Sequence, residues 1–229
     1  MADRAVIFDM DGVLVDSYGA HFQAWQRLAT KHGLEMTEAQ FAATFGRTGR
    51  EIILDLWGRR ISPDQAAALD AEKETYYRQV LQEHFPEMPG ASRLLEGLHQ
   101  AGFALAVGSS GPSENVDLVV RRLAGGRLFD ATVNGMEVGA GKPDPAIFLL
   151  AARKLGVTPA HCAVIEDAPS GVQAGLRAGM AVIAVTGTAA REKLLEADMV
   201  VDSLLELSPR LIAELLDRRS GIPDGGILS

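Results

Sequence analysis

Six short apolar runs constrain this chain more than any other feature: Ala5–Phe8, Phe103–Val107, Ala131–Val133, Ala163–Ile165, Ala181–Val185 and Met199–Val201. Most are unbroken by polar residues. A strand with one wet face alternates apolar and polar residues, whereas a strand buried on both faces does not. The runs therefore predict a parallel sheet covered on both sides. Helix-length segments lie between them: Ala91–Gln100, Ser113–Leu123, Pro145–Leu155, Gly171–Ala178 and Ala189–Ala197. Gly102, Gly156 and Gly179 stand just past three of these, where a left-handed residue closes a helix. Strand and helix alternate, so the fold class is α/β, a doubly wound, Rossmann-like parallel sheet.

One region breaks the alternation. Between Gly19 and Pro86 the patterns are helical and no strand is evident. In "AHFQAWQRLATKHG" the residues Phe22, Trp25, Leu28 and Ala29 fall at helical spacing. Ser62 and Pro63 open a long run of good helix formers as N-cap and first helical residue. "FPEMPG" reads as the return linker. The expected organisation is a core domain of residues 1–18 and 87–229 and a small all-helical domain inserted at 19–86. The glycine-rich tail from Ser220 is expected to fray.

The acids at the strand ends carry the chemistry. Ligands of open α/β sheets bind outside the carboxyl ends of the strands. The first run ends in Asp9 and Asp11, and the second in Gly108, Ser109, Ser110 and Gly111. The fourth ends in Glu166 and Asp167, and Lys142 lies in the loop after the third. All four clusters should meet in one crevice. Carboxylates crowded together do not all stay ionised without a cation. Oxygen-only ligands favour a hard ion, and Mg²⁺ takes one or two carboxylates together with waters and substrate phosphate. A carboxylate can also attack phosphorus to form an aspartyl-phosphate. Ser109 can donate to a phosphate oxygen, and Lys142 can neutralise charge there or hold the nucleophile. Each residue has a plainer alternative. A lone Asp after a strand can be a turn former, Glu166 and Asp167 can cap the helix near Ser170, and Lys142 can be a surface lysine. Gly171, Gly175 and Gly179 read as close helix packing. "GAGKPD" is not a nucleotide-binding loop, because Met136 stands where that motif needs Gly and Pro143 replaces its Ser/Thr.

Composition excludes several classes. Lys plus Arg total 22 against 30 for Asp plus Glu, a formal charge of −8, and no basic stripe is present, so nucleic acid is not an expected partner. Arg59–Arg60 and Arg121–Arg122 read as solvated helix ends. No window approaches the ~18 uncharged apolar residues of a membrane span. No signal-peptide pattern opens the chain, so the expected location is cytoplasmic. The single cysteine, Cys162, excludes an internal disulfide framework and reads as core. The expected state is a monomer or weak dimer.

"DMDGVLVDS" (Asp9–Ser17), "GSS" (Gly108–Ser110), "GKPDP" (Gly141–Pro145) and "IEDAPSG" (Ile165–Gly171) resemble the four ordered motifs of the haloacid dehalogenase superfamily. The helical insert sits where that family's first type of cap domain sits. The resemblance implies Asp9 as nucleophile, Asp11 as general acid and base, and Ser109 and Lys142 as phosphoryl-binding residues, with Gly108 and Ser110 in the same binding loop. It implies a Mg²⁺ site built from Asp9, the backbone carbonyl of Asp11, Asp167 and Glu166. The presence of Asp11 sets the chain apart from the dehalogenase branch. In the insert, His21, Arg50 and Lys73 resemble substrate-contacting residues of the β-phosphoglucomutase and sugar-phosphatase group. The implied function is a Mg²⁺-dependent phosphatase acting on a small phosphorylated metabolite, a sugar phosphate. The alternatives are a phosphomutase and a catalytically silent phosphate-binding regulator. "FGRTGRE" (Phe45–Glu51) and the missing acid in "DSYGAH" depart from the mutase pattern and favour the phosphatase.

Overall fold

The computed structural model describes residues 2–44, 48–58, 61–123 and 126–220. Arg59–Arg60, the first three residues of "FGRTGRE" and the tail after Ser220 lie outside the described residues. The chain divides into two compact units, Met1–Asp16 with Glu87–Ser229, and Ser17–Pro86.

The larger unit is a six-stranded parallel sheet. Its strands are β1 (Ala5–Phe8), β2 (Ala104–Gly108), β3 (Ala131–Val133), β4 (Cys162–Glu166), β5 (Ala181–Val185) and β6 (Met199–Val201), in the order β3-β2-β1-β4-β5-β6. Every residue of β1, β2, β4 and β5 is buried, which is what their unbroken apolar runs require. One face of the sheet presents Ala5, Ile7, Ala104, Ala106, Cys162 and Val164 to a cluster that includes Ile147, Phe148 and Ala151. β1 sits at the centre, paired with β2 through Phe8↔Val107 and with β4 through Phe8↔Ile165. Strand order therefore reverses at β1, where doubly wound sheets bind ligands.

The smaller unit is helical: α1 (Tyr18–Lys31), α2 (Glu38–Ala42), α3 (Gly49–Trp57) and α4 (Pro63–Glu83). Trp25, Leu28 and Ala29 pack with Phe41, Ile52, Ile53 and Leu69 to form its core. Thr37, Thr48 and Ser62 each close a capping box, which satisfies backbone N–H groups that a free helix end would leave unpaired. Pro63 occupies the first turn of α4.

The remaining helices of the larger unit are α5 (Ala91–Gln100), α6 (Ser113–Arg122), α7 (Ala146–Leu155), α8 (Pro169–Arg177) and α9 (Pro209–Ser220). Gly102, Gly156 and Gly179 have positive φ, as helix-closing glycines do. The helix expected over Ala189–Ala197 does not form. Only a short 3₁₀ turn, Arg191–Lys193, lies there. A helix in a globular protein is held by an apolar face. Here Leu194, Ala189 and Ala197 do pack against Val172 and Val182, but they do so from an irregular segment, with Leu195 left 65% exposed. Arg191 instead spans to the Val200 carbonyl and Asp202, and the segment crosses as a braced loop.

Candidate active site

Asp9 follows β1 directly and is almost wholly buried. Its N–H still donates to the Ile165 carbonyl at 2.9 Å, so sheet pairing extends one residue past the strand and fixes the Asp9 backbone. The chain then folds back on itself. Gly12 N–H donates to Val15 O at 2.8 Å and Leu14 N–H to Met10 O at 2.9 Å. Gly12 takes φ +75°, a conformation that favours glycine. A Cβ there would lie 2.0 Å from Asp167 Oδ2, so the absence of a side chain also makes room for that carboxylate.

β2 supplies the hydroxyl. Gly108 ends the strand where a Cβ would press on Phe148 and Ile7. Ser109 is buried; its N–H donates to Val133 O at 3.0 Å and its Oγ accepts from Gly111 N–H at 3.1 Å. Gly111 O in turn accepts from Gly135 N–H at 3.0 Å, which ties the loop after β2 to the loop after β3.

Lys142 arrives on the loop before α7. Its Nζ donates to Asp9 Oδ1, to Glu166 Oε1 at 2.7 Å and to Gly108 O at 3.1 Å. The ammonium also lies 4.8 Å from the centre of the Phe148 ring. Burial opposes its charge, but the Asp9 and Glu166 carboxylates outweigh that and hold Lys142 protonated well beyond the usual lysine range. Glu166 is fully engaged: Oε1 accepts from Lys142, and Oε2 accepts from the N–H groups of Asp167 and Ala168, each at 2.9 Å. The expected close packing of Gly171 is against this carboxylate, since a Cβ there would lie 1.7 Å from Glu166 Oε1. Gly175 packs on Val164 and Val182, while among the described residues nothing lies within 4 Å of a Cβ at Gly179, whose role is to close α8.

Burial, with help from the Glu166 and Asp11 charges, pushes Asp9 up to about 7 against the pull of Lys142. Burial, with the Glu166 and Asp9 carboxylates adding to it, holds Asp167 well above the usual carboxylate range. Asp9, Glu166 and Asp167 each bring an oxygen within 4.8 Å of the others. This all-oxygen, electron-rich donor set fits a hard divalent cation. Glu166 already accepts three hydrogen bonds through its two oxygens, so it has the fewest lone pairs left for such a cation.

The four strand-end clusters thus meet in one place within the larger unit. The three residues singled out in the helical insert lie in the smaller unit. Arg50 is exposed in the first turn of α3. Lys73 is buried, 5% exposed, and is already partnered by Glu74 Oε1 and His21 Nδ1, both at 2.8 Å, between the rings of Trp25 and Tyr77. His21 stacks on Tyr77 with ring centres 4.1 Å apart. Sequence reasoning missed Thr188, whose hydroxyl borders the same space at Gly12 as the Asp167 carboxylate. The signal was present, because "TGT" follows a strand just as "GSS" does.

A buried carboxylate at the end of the central strand of a doubly wound sheet meets a lysine and an acidic pair, with a buried serine ending the neighbouring strand. The family model for haloacid dehalogenase-like hydrolases matches residues 4–179, and the chain belongs to that family. It is 35% identical over 208 residues to hexitol phosphatase A of Escherichia coli strain K12, spanning 91% of this chain and 94% of that protein. It is 35% identical over 219 residues to β-phosphoglucomutase of Bacillus subtilis strain 168, spanning 92% of this chain and 94% of that one. The crystal structure of β-phosphoglucomutase from Clostridium difficile superposes with a TM-score of 0.82 at 30% identity, over 96% of this chain and 100% of that one.

Proposed function

We propose that this protein is a Mg²⁺-dependent phosphatase of small phosphorylated carbohydrates that works through a phosphorylated Asp9. One observation carries the reading: Asp9, at the end of the central strand, is gripped by Lys142 in a buried cluster with Glu166 and Asp167. Asp9 and Asp167 would hold the cation, together with the backbone carbonyl of Asp11. The cation supplies the positive charge that keeps these carboxylates ionised and offsets the charge of the phosphate.

An Asp9 oxygen attacks phosphorus, and the bond from phosphorus to the ester oxygen breaks. Asp11 gives its proton to the departing oxygen. Water then attacks the same phosphorus, Asp11 takes a proton from it, and phosphate leaves with Asp9 restored. Lys142 holds Asp9 in place and neutralises charge on the phosphoryl oxygens. Glu166 anchors Lys142 through its hydrogen bond and is itself anchored by two backbone N–H groups. Ser109 donates to a phosphoryl oxygen, since its own Oγ already accepts from Gly111. Gly108 and Ser110 shape the rest of that loop.

The carbohydrate assignment draws on the hexitol phosphatase relative. The β-phosphoglucomutase relative and crystal structure support a second reading, transfer of the phosphoryl group back to a sugar instead of to water. Both readings share every step up to phosphorylated Asp9. The test is a panel of hexitol and sugar phosphates with Mg²⁺, reading phosphate release and isomer formation together. Steady phosphate release without any primer is the expected result. Formation of glucose 6-phosphate from β-glucose 1-phosphate that depends on added 1,6-bisphosphate and outpaces phosphate release would establish the mutase instead.

A further inference from the structure

The loop after β5 follows the strand that pairs with β4 on the side away from β1. Ala184 of β5 is in register with Glu166 of β4, so the chain beyond Val185 runs on beside Asp167. This loop is braced. Thr186 N–H donates to Val201 O at 2.9 Å and its hydroxyl to Asp202 Oδ1 at 2.8 Å, and Arg191 Nη2 donates to the same oxygen at 2.7 Å. Gly187 follows at φ +135°, a backbone conformation L residues rarely adopt. Thr188 comes next. Its Oγ1 and Asp167 Oδ2 both lie against Gly12: a Cβ on Gly12 would be 2.7 Å from the first and 2.0 Å from the second. The two groups thus border one space, and against the upward push of burial the nearby hydroxyl pulls the Asp167 carboxyl down.

We propose that Thr188 is a positioning residue for the cation site, its hydroxyl donating to the Asp167 carboxylate and fixing the orientation in which Asp167 presents its remaining lone pairs to the metal. The inference rests on the metal reading of the preceding section. Its physical basis is the crowding of like charge. Asp167 lies among Glu166 and Asp9, which favour rotating its oxygens apart or protonating them. A neutral donor holds one oxygen in place without competing with the cation, as a lysine or arginine would. The glycine at 12 leaves the space in which the two groups meet, and the glycine at 187 lets the braced loop turn toward them.

Partners that orient metal ligands are worth about 10–100-fold in metal affinity. The test is direct Mn²⁺ binding to the full chain by electron paramagnetic resonance, repeated with Mg²⁺ by calorimetry. Thr188→Val keeps the shape and removes the donor; Thr188→Ser keeps the donor. The valine variant should bind about tenfold more weakly or worse, with an unchanged melting temperature, and recover near-normal kcat when metal saturates. The serine variant should bind close to the wild type. Equal metal affinity in wild type and Thr188→Val, or an equal loss in Thr188→Ser, overturns the inference and leaves the metal reading standing. A wild-type protein that binds neither ion overturns both.

Discussion

Replacing Gly171 with alanine should destabilise the protein, although the same change normally helps a helix. Alanine is favoured over glycine inside a helix by about 1 kcal/mol. In α8, however, the new Cβ would lie 1.7 Å from Oε1 and 1.9 Å from Cδ of Glu166. Overpacking of this kind costs about 1–3 kcal/mol. If Glu166 swings away to relieve it, the hydrogen bonds from Lys142, Asp167 N–H and Ala168 N–H weaken. Each bond to a charged group is worth about 1.5–3 kcal/mol. Loss of one such bond with the residual overlap, set against the helix gain, leaves a net destabilisation of about 1.5–5 kcal/mol. Gly97 in α5 provides the comparison, because among the described residues a Cβ there meets Pro209 alone, its Cγ at 3.4 Å and its Cδ at 3.8 Å, an ordinary contact. Gly97→Ala should be neutral or stabilising by up to about 1 kcal/mol. Urea unfolding followed by circular dichroism reads both variants. A Gly171→Ala protein as stable as Gly97→Ala would refute the claim that α8 is shaped around the Glu166 carboxylate.

Other outcomes follow from the same geometry. Gly12→Ala places a Cβ 2.0 Å from Asp167 Oδ2 at a positive φ, so Asp167 is displaced and kcat/KM should fall about a hundredfold, the scale of a misplaced catalytic group; near-normal turnover in a phosphate-release assay would contradict it. Cys162 is fully buried, and burial pushes its thiol up to about 12. Because the folded pKa is raised, only about one molecule in ten thousand carries the reactive thiolate at pH 8. Iodoacetamide should therefore label the folded chain far more slowly than the chain in urea, with folded-state reactivity still climbing about tenfold per pH unit where an ordinary thiol has levelled off. Mass spectrometry across pH 7 to 10 reads this, and rapid folded-state labelling would count against a buried thiol.

The sheet and its acids were legible because a both-faces-buried strand has a one-dimensional signature. The four unbroken runs Ala5–Phe8, Phe103–Val107, Ala163–Ile165 and Ala181–Val185 became β1, β2, β4 and β5 within a residue or two at each end. The rule that ligands gather at carboxyl ends of strands then brought Asp9, Ser109, Lys142, Glu166 and Asp167 together. What the pattern could not convey was who touches whom. Gly171 stood at helix-packing spacing, yet what it packs against is a carboxylate contributed five residues earlier by the preceding strand's end. Lys73 is a charged residue in a helical run, and only the fold shows its ammonium enclosed by Trp25, Tyr77, Glu74 and His21. The Ala189–Ala197 segment has helix-forming residues, but local propensity is a weak prior that tertiary packing overrides, and the segment seats Ala189, Leu194 and Ala197 on Val172 and Val182 without forming a helix. Thr188 was overlooked for a different reason: a hydroxyl carries no charge to draw attention, and its relevance depends on the left-turning glycine before it.

The central claim is that Asp9 takes the phosphoryl group. The most direct measurement is to mix enzyme, Mg²⁺ and a hydrolysed sugar or hexitol phosphate, quench in acid during turnover, reduce with borohydride and map peptides by mass spectrometry. An acyl phosphate is reduced to an alcohol, so homoserine should be found in place of Asp9, dependent on substrate and absent when chelator replaces Mg²⁺. Full turnover with Asp9 unmodified, or with the reduced residue located elsewhere in the chain, would contradict the account.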